Sequence, residues 1–301
     1  MRKILLTGKN GQVGWELQRT LAALGDVTAV DQGEMDLADP DAIRKVIREI
    51  RPSLIVNAAA YTAVDKAEAE PDMAMAINGV APGIMAEEAK RLNAAIIHYS
   101  TEYVFDGSKK SPYLEEDTAN PLNVYGKTKL AGEQAIQAVG APHLILRTSW
   151  VYGARGRNFL LTILKLARER DELKIVDDQI GAPTWSRMLA EVTSQMLITH
   201  YSPMSRPFAS IADIRGTLHA VSSGSTSWHG FAMKILENVS CEGSHALPKL
   251  LPIPTTDYPL PAKRPLNSRM SSAKLKQTYD LEIPSWEKSL TLCLQEMAKN
   301  P

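Results

Sequence analysis

Cysteine is almost missing from this sequence: its two residues, Cys241 and Cys293, stand far apart and outside any CxxC spacing. That argues against a disulfide framework and a thiolate zinc site, and it makes a reducing cytoplasm the natural setting. An excess of charge is missing as well, because 34 Lys and Arg residues balance 34 Asp and Glu. The whole-chain field therefore gives no reason to expect nucleic acid or an anionic membrane as partner, although a local anion site stays open. No run of about 18 uncharged apolar residues occurs, so no membrane span is expected. The opening Met1-Arg2-Lys3-Ile4-Leu5-Leu6 stops at Thr7-Gly8 after three apolar residues and reads as a strand, not a signal sequence. Histidines 98, 143, 200, 219, 229 and 245 show no HxxxH or HExxH spacing, so they read as structural or surface residues and no metal hydrolysis is expected.

What is present is a chain of 301 residues, 44% of them hydrophobic. That is enough for a full core and near the length at which single cores split, so one large domain and a smaller one are expected. From residue 1 to about 151, short apolar runs alternate with longer amphipathic stretches, the pattern of βαβ units around a parallel sheet. Strands are expected at Lys3–Thr7, Val27–Asp31, Ser53–Asn57, Ala94–Ser100 and His143–Arg147. Helices are expected at Gly11–Leu24, Asp41–Ile50, Met75–Leu92 and Tyr125–Val139. The fold class is thus α/β, a Rossmann-like doubly wound sheet over residues 1–151. A smaller mixed C-terminal domain over 152–301 is expected to hold the substrate, with segments crossing back to the first domain. Prolines 248, 252, 254, 259, 261 and 265 favour loops and extended segments there over a second regular sheet.

Gly8, Gly11 and Gly14 follow the first strand at a 3,3 spacing and open the first helix. One glycine makes the tight turn, one lets backbone approach a pyrophosphate, and one packs helix on strand, while the helix N-terminus faces the phosphates. A plain βα turn would use glycine too. Position favours the dinucleotide, because Asp31 closes strand two about 20 residues beyond Gly11, where an acid meets the adenosine ribose hydroxyls. A carboxylate there repels a 2′-phosphate, so NADH is favoured over NADPH, with Lys9 and Arg2 as cations that could compensate. Asp36-Leu37 lies where the chain returning from strand two could touch adenine. Asn57-Ala58-Ala59-Ala60 ends strand three with small residues that suit a close cofactor or equally a tight helix–sheet contact.

Tyr125 and Lys129 stand four apart and share one face of a helix. A tyrosine, ordinarily a weak acid with a pKa near 10, would be brought toward the working range by the lysine cation. Thr101, at the end of the preceding strand, could hold the substrate oxygen while Tyr125 protonates it. Together with the glycine turn and Asp31, these residues resemble the extended short-chain dehydrogenase/reductases.

Within that superfamily the sequence is similar, over nearly its whole length, to the dTDP-4-dehydrorhamnose reductase family. The resemblance is carried by residues 11–14 (GQVG), 56–68 (VNAAAYTAVDKAE), 98–107 (HYSTEYVFDG), 121–133 (PLNVYGKTKLAGE), 147–152 (RTSWVY), 178–184 (DQIGAPT) and 264–268 (RPLNS). It implies hydride transfer from NADH or NADPH to C4 of dTDP-6-deoxy-L-lyxo-4-hexulose, giving dTDP-L-rhamnose, with Tyr125 as proton donor, Lys129 as its partner and Thr101 on the sugar oxygen. It also implies cofactor contacts at Gly11, Gln12, Val13, Asp36, Leu37, Ala60, Tyr61, Thr62 and Tyr99, beside Gly8 and Asn10 of the glycine turn and Ala58 at the strand-three end, and substrate contacts at Thr101, Glu102 and Trp150. Trp150 could cover an apolar sugar face or simply pack in the core. Arg264 could fork onto the diphosphate or stand solvated in its proline-rich loop. Some members bridge subunits with magnesium on helix carboxylates. Glu16 and Glu191 are available for that, but Arg187, one turn before Glu191, sets a cation beside such a site. The expected partners are a dTDP-sugar and, as an open question, a second copy of the chain. The alternatives are another nucleotide-sugar epimerase or dehydratase, or a non-catalytic regulatory subunit, against which an intact Thr101, Tyr125 and Lys129 weigh. Residues 202–213 form a connection longer than the family's usual one.

Overall fold

A computed structural model describes residues 2–201, 215–238 and 247–299. Cys241, His245 and the long 202–213 connection lie outside them.

The five expected strands form: β1 Lys3–Thr7, β2 Asp26–Val30, β3 Leu54–Asn57, β4 Ala95–Thr101 and β5 His143–Thr148. Helices α1 Gln12–Thr20, α2 Pro40–Ile50, α3 Val64–Ala67, α4 Pro71–Met75, α5 Ala81–Arg91 and α6 Val124–Val139 lie between them. The second half adds β6 Val151–Tyr152, α7 Phe159–Glu169, β7 Glu172–Val176, β8 Ile180–Gly181, β9 Thr184–Trp185, α8 Ser186–Tyr201, β10 Arg215–His219, β11 Thr226–Ser227, α9 Trp228–Glu237, β12 Lys249–Ile253, α10 Ala273–Tyr279 and α11 Trp286–Lys299.

One six-stranded sheet runs in the order β10-β5-β4-β3-β1-β2, with every pairing parallel. The chain reverses its winding between β1 and β3, which places a ligand crevice at the carboxyl ends of these strands. The sixth strand comes from the far half of the sequence, Thr217 lying opposite Ile145. Other strands of the second half pair only two by two.

Burial on both faces explains the nearly unbroken apolar strands. Ile4, Leu6, Val56 and Ile97 pack on one side with Leu17 and Leu21 of α1 and Leu189 of α8. Leu5, Ile55 and Ile96 pack on the other with Ile43 of α2, Met85 of α5 and Ile136 of α6. A further core, built on Leu160, Trp185, Phe231, Trp286 and Leu290, holds α7, α9 and α11 together.

The long helix expected at Met75–Leu92 differs in form. It starts earlier, at Pro71, and residues Ala76–Val80 make a π-turn before α5 begins. Pro82 is the cause: it has no N–H to give the carbonyl four residues back, and its ring crowds that carbonyl, so the turn widens. The freed Asn78 carbonyl leans on α6 at Gly132, where an added Cβ would stand 2.2 Å from it. Asn78 then uses its side chain outward, accepting from Tyr61 N at 2.9 Å and reaching Thr128 Oγ1 at 3.2 Å. The π-turn thereby ties the segment after β3 to the helix that carries Tyr125.

Candidate active site

The first βα turn is built as tightly as its glycines require. Gly8 sits at φ 74°, where side chains are strained, and a Cβ there would meet Ala59 N at 2.9 Å. A Cβ on Gly14 would lie 1.9 Å from the Gly8 carbonyl oxygen. Beside this turn a cavity is lined by Thr7, Gly8, Asp31, Asp36, Leu37 and Ala60. Asp31 accepts from Asn10 N at 3.1 Å and from Gln32 N at 3.0 Å, fixing its carboxylate at the cavity rim. Lys9, one of the two cations considered beside Asp31, is paired with Glu34, whose other oxygen receives Asp31 N at 2.9 Å. Asp31, Asp36 and Glu34 thus set three carboxylates around this cavity against the Lys9 ammonium.

The remaining cofactor candidates scatter around this floor. Gln12 accepts from Asn158 Nδ2 at 2.9 Å, which ties the turn to the second half of the chain. Val13 packs on the α1 core. Ala58 is partly buried, Thr62 is exposed, and Tyr61 gives its hydroxyl to Glu70 at 2.7 Å. Tyr99 turns its phenol into the opposite core, 2.6 Å from Thr193 Oγ1, so what it offers the site is its backbone carbonyl.

At the end of β4 the chain enters a short 3₁₀ turn over Glu102–Val104, capped by Thr101, whose hydroxyl accepts from Tyr103 N at 3.2 Å and gives its proton to Glu102 Oε2 at 2.8 Å. Facing it, α6 starts at the N-cap Asn123, which accepts from Gly126 N at 2.8 Å. Gly126 lets the helix come within reach of that turn: a Cβ there would be 2.2 Å from the Tyr103 carbonyl oxygen. Tyr125 therefore stands beside Thr101 and Glu102, its ring edge-on to Tyr103 with centroids 5.5 Å apart.

Burial raises the Glu102 carboxyl to about 7, against the lowering effect of the Thr101 hydroxyl. Burial also holds the Tyr125 phenol above its ordinary value, the Glu102 charge adding to this and the Thr101 hydroxyl beside it opposing it. This differs from the sequence expectation, in which Lys129 lowers Tyr125 directly. The Lys129 ammonium is turned to the Tyr99 carbonyl at 2.6 Å and to His98 Nε2 at 3.1 Å, so its charge is spent on those groups. Burial pushes Lys129 itself down to about 8, Glu133 opposing.

The substrate candidates split. Trp150 takes a left-handed backbone, φ 47°, and stacks on Trp228 at 3.6 Å and 9°. Gly181 packs against the same indole, a Cβ there reaching it at 2.6 Å. Arg264 places its two terminal nitrogens on Asp65 at 3.0 and 2.7 Å, so the fork considered for a diphosphate is filled by a carboxylate of this chain. Of the helix carboxylates considered for magnesium, Glu16 is paired with Arg187 at 3.2 Å, and the same guanidinium reaches Glu296 at 3.0 Å, so a cation already stands beside Glu16.

Sequence reading missed His98, Trp228 and the buried Glu133–Arg147 pair, which is bidentate at 2.9 and 2.6 Å. The only signal for that pair was a charge on each of two otherwise buried elements.

A parallel sheet of this order, a glycine turn after its first strand, and a tyrosine and lysine four apart on the helix beside its fourth define a Rossmann-fold protein of the extended short-chain dehydrogenase/reductase class. The chain belongs to the dTDP-4-dehydrorhamnose reductase family, the model of the RmlD substrate binding domain matching residues 1–299. It is 47% identical over 298 residues to the dTDP-4-dehydrorhamnose reductase of Burkholderia thailandensis, covering 98% of this chain and 99% of that one. It is 46% identical to the enzyme of that name from Escherichia coli K12, covering 98% and 97%. The crystal structure of dTDP-4-dehydrorhamnose reductase from Bacillus anthracis in complex with NADP superposes with a TM-score of 0.88 at 35% identity, covering 98% of this chain and all of that one.

Proposed function

We propose that this chain reduces the C4 ketone of dTDP-6-deoxy-L-lyxo-4-hexulose to give dTDP-L-rhamnose, as an oxidoreductase using a nicotinamide dinucleotide. The observation that carries the reading is the 47% identity to a dTDP-4-dehydrorhamnose reductase across 99% of that protein's length. The reduced nicotinamide supplies the hydride when bound. The chain's own residues supply the rest. Gly8, Gly11 and Gly14 leave room for the pyrophosphate over the start of α1. Asp31 is assigned to the adenosine ribose, and the surplus of carboxylate over ammonium at that rim favours NADH over NADPH. Asp36, Leu37 and Ala60 are assigned to the adenine end.

Tyr125 is assigned to hold the proton that the C4 oxygen takes up as it becomes an alcohol. A phenol kept protonated by its surroundings suits that role, since a reduction consumes one proton per hydride. Thr101 is assigned to the same substrate oxygen, and Lys129 to the support of Tyr125. The residues up to 151 are read as the cofactor half and most of the remainder as the substrate half, with β10 crossing back. The cytoplasm is the setting this reading prefers; among the described residues no helix is long and apolar enough to cross a membrane.

The test is loss of the reduced-nicotinamide absorbance when the protein meets enzymatically prepared dTDP-6-deoxy-L-lyxo-4-hexulose, with NADH and NADPH run in parallel. Formation of dTDP-L-rhamnose is the expected result. No turnover from a preparation that binds cofactor would refute the substrate assignment.

A further inference from the structure

A chain of hydrogen bonds runs from Lys129, one turn from Tyr125, to Thr7, which lines the cavity at the dinucleotide turn. Lys129 Nζ lies 3.1 Å from His98 Nε2, His98 Nδ1 lies 3.0 Å from Asn57 Nδ2, and Asn57 Oδ1 lies 2.7 Å from Thr7 Oγ1. Thr7 Oγ1 also accepts from Ala59 N at 3.3 Å. Lys129, His98, Asn57 and Thr7 are each 1% exposed, so none of these groups has bulk water as an alternative partner. In such surroundings the direction of every hydrogen bond matters, because a donor facing a donor costs as much as a lost bond.

The directions are linked. A neutral imidazole carries one proton. When the Asn57 amide donates to Nδ1, the proton sits on Nε2 and must face a lone pair, which Lys129 has only as the neutral amine. When the Asn57 oxygen faces Nδ1, the proton sits there, Nε2 accepts from the ammonium, and Thr7 accepts from Asn57. The two arrangements differ by one proton on Lys129, with His98 neutral in both. Burial, and after it the Lys129 charge, keeps His98 well below its ordinary value, which removes the imidazolium as a third state.

We propose that His98 is a positioning residue for the acid system of Tyr125 and Lys129, one buried imidazole whose tautomer couples the protonation of Lys129 to Asn57 and Thr7 at the base of the dinucleotide turn. The assignment rests on the reductase reading for its catalytic consequence, and on geometry alone for the coupling. Other ionisable groups around Lys129 are few. Glu133, one turn along α6, favours the ammonium, but Arg147 of β5 holds both its oxygens. Tyr125 lies one turn back on the same helix, with Glu102 acting on it from the turn after β4. The Tyr99 carbonyl accepts from Lys129 in either charge state.

The experiment joins two readouts on the full chain. In the first, ¹⁵N shifts of the His98 ring, assigned through the β4 backbone, are followed in cofactor-bound protein from about pH 6 to about pH 10, the span around a depressed lysine. The expected result is exchange of the proton between Nδ1 and Nε2 without formation of imidazolium, and its absence in Lys129→Met. In the second, the pH dependence of kcat/KM is compared for wild type, His98→Leu and His98→Gln. His98→Leu is expected to lower kcat/KM about tenfold and to move its pH midpoint by about half a unit or more, His98→Gln restoring part of both, while cofactor affinity changes less than about threefold. A single fixed tautomer across the range overturns the coupling. So does a His98→Leu enzyme with an unmoved pH profile, or one whose loss follows its loss of cofactor binding. If wild type reduces no dTDP-sugar, the reductase reading fails, and the ¹⁵N shifts still decide the His98 assignment.

Discussion

Replacing Gly14 by alanine tests the dinucleotide turn directly. The added Cβ would stand 1.9 Å from the Gly8 oxygen and 2.7 Å from its carbon, both backbone atoms. Ordinary contact requires a separation larger by roughly 1 Å or more, and close-packed interiors yield that only by moving whole segments. Gly8 cannot retreat, because its own far side is against Ala59 N, where a Cβ would be 2.9 Å away. The strain must fall on the start of α1, and overpacking of this kind costs about 1–3 kcal/mol. Urea unfolding should show that loss. Fluorescence titration with reduced cofactor should show weaker binding by about tenfold to a hundredfold, since a displacement of about 1 Å is what positioned groups tolerate least. Two companions calibrate the result. A Cβ on Gly11 meets the same oxygen at 3.2 Å and should cost under about 1 kcal/mol, a shift of a few tenths of an ångström sufficing. Gly33 has nothing within 4 Å and should be neutral within about 0.5 kcal/mol. If Gly14→Ala unfolds and binds cofactor like Gly33→Ala, the turn is not the tight cradle described.

Three further changes probe separate parts of the site. Tyr125→Phe should abolish turnover by about a hundredfold or more while leaving cofactor affinity nearly unchanged, and near-normal kcat/KM would remove Tyr125 from the proton-donor role. Asp31→Ala should raise the NADPH to NADH ratio of kcat/KM by about fivefold or more, because one carboxylate of the cavity is deleted while Lys9 stays; an unchanged ratio would move Asp31 away from the ribose. Glu102→Gln should flatten the pH dependence of folding stability in cofactor-free protein. The folded carboxyl, at about 7 against an ordinary 4.5, binds its proton more tightly than the unfolded one, so wild type loses stability as pH rises through that interval, by about 3 kcal/mol at most. Urea midpoints falling equally steeply in both proteins would show that Glu102 is not the group responsible.

Features that depend on neighbours in sequence were readable. The five apolar runs that became β1 to β5 needed only their own composition, and Gly8, Gly11, Gly14, Asp31, Thr101, Tyr125 and Lys129 could be singled out as candidates because a βα unit delivers its strand ends to one edge in chain order. The helix expected from Met75 failed locally, since Pro82 was visible but the remedy for it, a π-turn opened against Gly132, depends on a helix more than forty residues on. The missed partners were all distant in sequence. Arg264 reads as a free cation until Asp65, 199 residues earlier, is brought onto its fork. Trp150 reads equally as a sugar platform or as core packing until Trp228, 78 residues on, stacks on it. His98 reads as a core histidine because spacing rules for histidine ask about metals, whereas its partners, Asn57 and Lys129, lie 41 and 31 residues away on two other elements.

That contrast has a chemical side. Tyrosine and lysine four apart name the reacting groups, but burial decides how they hold their protons, and burial is a property of the assembled fold. Lys129 was expected to act on Tyr125 through space. In the folded chain its ammonium is committed to a backbone carbonyl and a neutral imidazole, and its own proton is loosened by the same burial that tightens the proton on Tyr125. A cation that gives up its proton more easily beside a phenol that keeps its own leaves the two groups further apart in acidity than they are in water, where both ordinary values lie near 10. That divergence keeps the proton on Tyr125 until a developing alkoxide on the substrate takes it, since Lys129 is the weaker base for it. In this pair burial brings Lys129 toward neutrality, Glu102 and Thr101 act on Tyr125 in opposite senses, and among the described residues His98 is the side chain that meets the Lys129 nitrogen, so the proposed coupling has one place to act.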